Sequence, residues 1–426
     1  MKLFIKYHII ILLSFFLLSC QSSSSKRTKI SDQVTNTIIE SVQLSFPLHI
    51  ELEQKYPQKN INLQDIAQIE YIPLETNDDV LLESALQLVY VGDDYYVICN
   101  QKQGDVFFFE KDGKFRHKFN NKGNSGKEYN SVASCTFDEL NREIFIVDYL
   151  ERRRILVYTE EGQYLRTLPF PSMEYLCDIY DFDEQTLLAY YPVRFRQETI
   201  LDMKDKGIDS QKPYVFISKQ DGRLLDRVDI TFSKRISPTL LISTDPFRFM
   251  SISNSASNNA YKLGREFIIA DMSSDTIYTL NNKRQLSPLL IRSPSVFDSE
   301  PFLISAFGMK TDHFIYIYTM AYDFKLAEES VKNGTAFSPK ITDFLYDLRT
   351  GEVCEPYFIN QDYPSRNNSI EIGRAYIKSE NTSVQLRFSE RLVEALEKGE
   401  LKGKLKEVAE TLRVDDNPVL MVMRFK

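Results

Sequence analysis

Tryptophan is absent from this 426-residue chain, histidine occurs only four times and glycine only 15 times. The lack of tryptophan removes the commonest platform for stacking a sugar ring, although 24 tyrosines and 29 phenylalanines can substitute. The scarcity of histidine weighs against acid–base catalysis. His49 lies in an N-terminal extension, His117 in an outer-strand run (KFRHKF), and His313 opens the strand HFIYIY beside a tight turn. None of them stands in a GxSxG or HExxH context, so no catalytic residue is assigned. Positive charge is in deficit: 52 Lys and Arg against 60 Asp and Glu give −8, which argues against nucleic acid as a partner. The five cysteines match no metal-ligand spacing, and the acidic group Asp178, Asp181 and Asp183 lacks the loop pattern of an EF-hand. Neither a metal nor a cofactor is therefore expected.

What is present begins with an export signal. Lys2 and Lys6 precede an apolar stretch, His8–Leu18, which falls short of the about 20 residues a spanning helix needs. Leu17-Leu18-Ser19-Cys20 then has the form of a bacterial lipoprotein processing site. Cleavage there leaves Cys20 as the lipidated first residue, takes the formal charge from −8 to −10, and frees Gln21–Ser25 as a flexible tether. The expected organisation is a signal at 1–19, a tether and N-terminal extension at 20–65, and a folded domain at 66–426. Among the remaining cysteines, Cys99, Cys135 and Cys177 lie inside apolar strand-like runs and read as buried thiols, with Cys354 the fourth.

From Leu86 to Phe119 four short, aromatic or β-branched runs follow one another, separated by turn residues at Gly92-Asp93-Asp94 and Asp112-Gly113. The same grammar returns from Val132 to Leu168, with Glu161-Gly162 at the last turn. Third, fourth and fifth copies end in turns at Asp221-Gly222, Asn281-Asn282 and Thr350-Gly351. At the C-terminus only three further strands are legible, interrupted by a helical stretch within 389–413, while Ile66–Glu75 is a strand-like run standing alone before the first copy. Joining that run to the last three closes a ring of six and leaves no open edge. The expected fold is all-β: a six-bladed β-propeller closed by an N-terminal strand, with a short helical insertion in the last blade.

The chain resembles the six-bladed β-propeller lipoproteins of Bacteroidota. The resemblance is carried by IEYIPLET (Ile69–Thr76), the Asp-Gly hairpins, KGNSGKEY (Lys122–Tyr129), SDTIY (Ser274–Tyr278) and DDNPVLMVMRFK (Asp415–Lys426). In KGNSGKEY, Gly123, Glu128 and Tyr129 match the family's GxGPxEY loop, while Ser125 and Gly126 depart from it. The resemblance implies a cell-envelope protein, lipid-anchored to the outer membrane on its periplasmic or its surface face, whose members are mostly uncharacterised.

In a four-strand blade numbered outward from the axis, the loops joining strands two and three share a face with the crossovers between blades. The long segments 192–213, 233–246, 321–341, 360–369 and 389–417 all fall on that face. Lys127, Glu128, Tyr129, Arg152, Arg154, Tyr191 and Arg194 are placed there as candidate ligand contacts, since arginine suits carboxylate or phosphate and tyrosine suits sugar faces. Two functions are open. One is a non-catalytic binding or scaffold module for a glycan, peptide or envelope protein; the other is a hydrolase or lyase with an axial pocket of carboxylates and arginines.

Overall fold

The computed structural model describes residues 44–426 apart from 84, 152, 171–175, 177, 192–199, 203–211, 237–238, 246–247, 254–258 and 364–375. Six antiparallel sheets form the expected propeller ring. Their first strands, closest to the axis, are Leu86–Val91, Val132–Asp138, Asp178–Asp183, Ala260–Leu263, Phe302–Lys310 and Tyr376–Ser379. We number the blades one to six in that order. In the second and third strands of a blade nearly every residue is buried, as in Tyr95–Asn100 and Glu143–Asp148, because each sheet is sandwiched between two neighbours.

Closure follows the expected route. The strand Ala67–Pro73 pairs along its whole length with Val419–Phe425, from Ala67 opposite Phe425 to Pro73 opposite Val419, and becomes the outer strand of blade six. Asn417, from the DDNPV run, pins the join. Its Oδ1 accepts from the Leu82 amide at 2.7 Å, and its Nδ2 donates to the carbonyls of Glu75 and Val80 at 2.6 and 2.7 Å.

The last turn of a blade sits against the end of the preceding blade's outer strand. Gly113 lies so close to Ala67–Pro73 that a Cβ would stand 2.1 Å from the Pro73 carbonyl oxygen, and its φ of +88° independently favours glycine. Gly222 meets the Pro169 carbonyl oxygen in the same way, at 2.5 Å. The recurring Asp-Gly turns are thus inter-blade contacts as well as hairpins.

Two features exceed the sequence reading. Within the stretch taken as an extension, Leu48–Glu51 and Gln58–Asn62 are strands that add in parallel to the outer strands of blades four and five. His49 belongs to the first of these rather than to a tether. The described parts of the long loops carry further secondary structure. Segment 321–341 contains a helix, Phe324–Asn333, which lies against the inserted hairpin Thr239–Asp245 and Arg248–Ser253, while Ile200–Asp202 pairs with Lys234–Ile236. The expected helical insertion of blade six is two helices, Ser389–Glu397 and Gly403–Ala409, separated by Gly399 at φ +70°. Their apolar residues Leu392, Ala395, Leu405 and Ala409 join the core beneath Ala67–Pro73.

Candidate functional site

The crossover from blade one to blade two brings Lys127, Glu128, Tyr129 and Arg154 together, but as a brace. Glu128 Oε2 accepts from the Ser125 amide at 2.8 Å, and that bond holds its carboxyl below the ordinary range. Arg154 donates to the carbonyls of Gly126 and Glu128 at 2.9 and 3.3 Å and stands 3.7 Å from Asp148. The Lys127 carbonyl accepts from Tyr158, and the Lys127 ammonium lies over the Tyr164 ring.

Two candidates are corrected by burial. Tyr129 is fully buried; its hydroxyl donates to the Gly104 carbonyl at 2.6 Å and accepts from the Asn121 amide. Tyr191 is likewise a core residue, donating to the Lys212 carbonyl, while its own carbonyl accepts from the buried Arg235. A phenol that spends its hydroxyl on the backbone inside a packed cluster has no face for a ligand. Arg152 and Arg194 lie outside the described residues, as does Cys177. Cys99, Cys135 and Cys354 are buried free thiols.

The open space is on the axis. A cavity of about 1010 Å³ is lined by the first strands of blades one to four, by Tyr376, and by Val384–Phe388 and Arg391 of blade six. Chain direction sorts its wall into two ends. Gln87, Ser134, Asp178, Arg387, Phe388 and Arg391 lie towards the long loops, and Tyr90, Asp93, Phe137, Glu139, Asp181 and Lys262 towards the tight turns. Burial, followed by a hydrogen bond with Glu139, pushes the Tyr90 phenol well above its usual range.

Behind the tight-turn end sits an ion cluster. Lys219, whose side chain is 5% exposed, places Nζ 2.5 Å from Asp138 Oδ2 and 2.6 Å from Asp181 Oδ1. Lys262, on the cavity wall, reaches the other oxygen of Asp181 at 2.6 Å. Asp138 is also held by Asn141. Burial raises its pKa, but the hydrogen bonds from Lys219 and Asn141 outweigh that and leave its carboxyl below the ordinary range. The acidic group weighed for calcium is therefore split: Asp181 is neutralised by two lysines. Among the described residues no group of three or more His, Cys, Asp or Glu is placed to hold a metal. His117 is stacked on Phe108 at 4.3 Å with Nε2 3.0 Å from the Glu160 carbonyl oxygen, a structural position.

Sequence reasoning missed the cavity wall because its residues come in short runs from five blades that only the closed ring brings together. The one local signal is that each first strand carries polar residues among apolar ones, as in LQLVYV, ASCTF and DIYDFD.

Fold and cavity together define a six-bladed β-propeller with an axial pocket. Residues 48–424 match the family described as a domain of unknown function, DUF4934, and the chain belongs to that family. Among solved structures it is similar to an exported protein from Bacteroides fragilis, with a TM-score of 0.60 at 16% identity, covering 89% of this chain and 99% of that one. A member of the DUF4221 family from Bacteroides vulgatus matches with a TM-score of 0.46 at 9% identity, covering 85% and 97%. At 16% identity the likeness to the Bacteroides fragilis protein shows the fold alone. No curated protein matches the sequence.

Proposed function

We propose that the protein is a cell-envelope lipoprotein of the outer membrane whose propeller binds a polar ligand in the axial cavity and does not transform it. The observation that carries this is the cavity itself. Its volume of about 1010 Å³ lies at the upper end of the range typical of small-molecule sites, and its wall combines tyrosines, amides and charges of both signs on rigid strands. Glycan and peptide are the ligand classes that such a wall suits. Two features weigh for binding over hydrolysis or lyase chemistry. Asp181 is tied to two lysines, and the Tyr90 phenol is shifted away from the pH at which it could serve as a base.

A tryptophan at position 87 tests the site. Gln87 is half-buried on the cavity wall, and Gln87→Trp fills the space towards the long loops. With the mature protein screened against a glycan array and a peptide pool, the expected result is at least a tenfold loss of affinity for any retained compound, with unchanged thermal melting. Retention that ignores the substitution places the ligand elsewhere.

Anchoring rests on Leu17-Leu18-Ser19-Cys20. No helix among the described residues is long and apolar enough to cross a membrane. Cys20→Ser is expected to move the protein from the membrane to the soluble fraction and to abolish incorporation of labelled fatty acid. Unlabelled wild-type protein would overturn the assignment.

A further inference from the structure

We infer that Cys99 and Cys135 are the two halves of a disulfide that staples blade one to blade two in the exported protein. The inference goes beyond the binding role and is independent of any ligand. It draws only on export to the cell envelope, a compartment in which disulfides persist.

The two thiols face one another across the seam between the blades. Side chains alternate along Tyr95–Asn100: Tyr96 and Ile98 share a buried cluster with Leu420 of blade six, whereas Val97 and Cys99 share one with Val132 and Cys135 of blade two. The register across the seam is fixed just beyond the strand. There the Gln101 carbonyl accepts from the Val132 amide at 2.9 Å, and Gln101 Nε2 donates to the Ala133 carbonyl at 3.4 Å. Tyr95–Asn100 is antiparallel to Leu86–Val91, and the first strands of successive blades run alike, so Tyr95–Asn100 and Val132–Asp138 run in opposite directions. Two residues back from Gln101 and two on from Ala133 stand Cys99 and Cys135. Their thiols meet: Cys99 is held well above its ordinary range, first by a hydrogen bond with Cys135 and then by burial.

Burial decides when the bond forms. Cys99 is 0% and Cys135 3% exposed, and thiol–disulfide exchange needs an accessible thiolate, which a buried neutral thiol does not supply. The pair is therefore oxidised while the blades are still coming together. The oxidant is a reactive disulfide of the envelope: one cysteine thiolate attacks it to give a mixed disulfide, and the second cysteine then displaces the oxidant's sulfur. The Cys99–Cys135 bond forms, the oxidant's S–S bond breaks, and two electrons and two protons leave on the oxidant's thiols. The loop so closed holds the strands Asp105–Glu110 and Phe115–Asn120 and the crossover brace at Lys127–Tyr129. Cross-linking them restricts the unfolded chain, the usual source of a disulfide's stabilisation. Cys135 is on the cavity wall and Gln87 stands opposite Cys99, so the staple also sets the spacing of two blades where they border the cavity.

The test traps thiols in two samples: the mature protein taken from the cell envelope, and the same chain refolded from its reduced, unfolded state in mixed reduced and oxidised glutathione. Each is alkylated in denaturant, reduced, alkylated with a second label and digested. The expected result is that Cys99 and Cys135 take only the second label and appear as one linked peptide in the unreduced digest, while Cys354, in the outer strand of blade five, takes the first. Protein refolded with reductant throughout is expected to melt about 5 °C below the oxidised form. First label on both Cys99 and Cys135 in either sample overturns the inference, as does a peptide linking either of them to Cys177 or Cys354. Identical melting of the two forms overturns the staple. A chain from the envelope fraction that retains residues 1–19 shows instead that export has failed, and the refolded sample alone then decides the pairing.

Discussion

A protein lacking residues 66–75 is expected to show no cooperative melting transition, whereas one lacking residues 21–36 is expected to melt as the mature chain does. The first deletion removes the outer strand of blade six, and with it the buried side chains of Ala67, Ile69, Tyr71, Ile72 and Leu74. Burying a large apolar side chain contributes about 1.5–3 kcal/mol. Ile69, Tyr71, Ile72 and Leu74 alone then account for about 6–12 kcal/mol as an upper estimate, which is comparable to the whole stability of an ordinary domain. The loss extends beyond the sheet. The Glu75 amide donates to the Gly113 carbonyl at 2.8 Å, and Glu75 Oε2 accepts from the Phe115 amide at 2.9 Å, so the seam between blades six and one opens as well. The Tyr71 hydroxyl, which donates to Asp362 and accepts from Asn360, ties the same strand to the end of blade five. Circular dichroism against temperature reads both deletions directly. Equal melting curves would refute closure by this strand.

Lys219→Met is expected to cost about 3–5 kcal/mol at neutral pH, because removing one partner of a buried pair leaves the other charge uncompensated. Asp138, with its side chain 3% exposed, would keep only Asn141, whereas Asp181 would retain Lys262. Replacing Asp138 as well, in Lys219→Met/Asp138→Asn, is expected to recover much of the loss, since no unpaired charge then remains. The pH dependence has a definite sign. The folded-state pKa of Asp138 lies below its unfolded value of about 3.9, so its stabilising contribution is fully present above that value and is lost as pH falls through the lower, folded-state one. In Lys219→Met the buried carboxylate instead favours its neutral form, and the gap to the wild type should narrow as the pH is lowered to 4 and below. Urea denaturation at pH 7 and pH 4 measures both effects. A gap that is unchanged or wider at pH 4 would show that Asp138 is not the group responsible.

The repeat and its closure were legible in the chain because both are written locally. Short apolar runs set the strands, Asp-Gly and Glu-Gly dipeptides set the turns, and one strand left over before the first copy with three after the fifth leaves one economical way to complete a ring. Motifs noticed for their resemblance acquire physical roles in the fold: Asn417 pins the closure, and Glu128 caps its own crossover. The site was not legible in the same way. In a propeller both faces of the middle strands are buried, so alternation does not separate inward from outward. Tyrosines such as Tyr129 and Tyr191 therefore look like loop contacts while lying in the core. The parallel strands Leu48–Glu51 and Gln58–Asn62 carry no signal of their own, because four or five residues become a strand only when an outer edge some 240 or 300 positions away is already in place. Blade count, turn positions and closure were thus determined by sequence alone. The assembly of Arg391, Asp181, Lys262 and Glu139 around one cavity was decided only by the tertiary structure, because a ring brings to its axis residues that no local period relates.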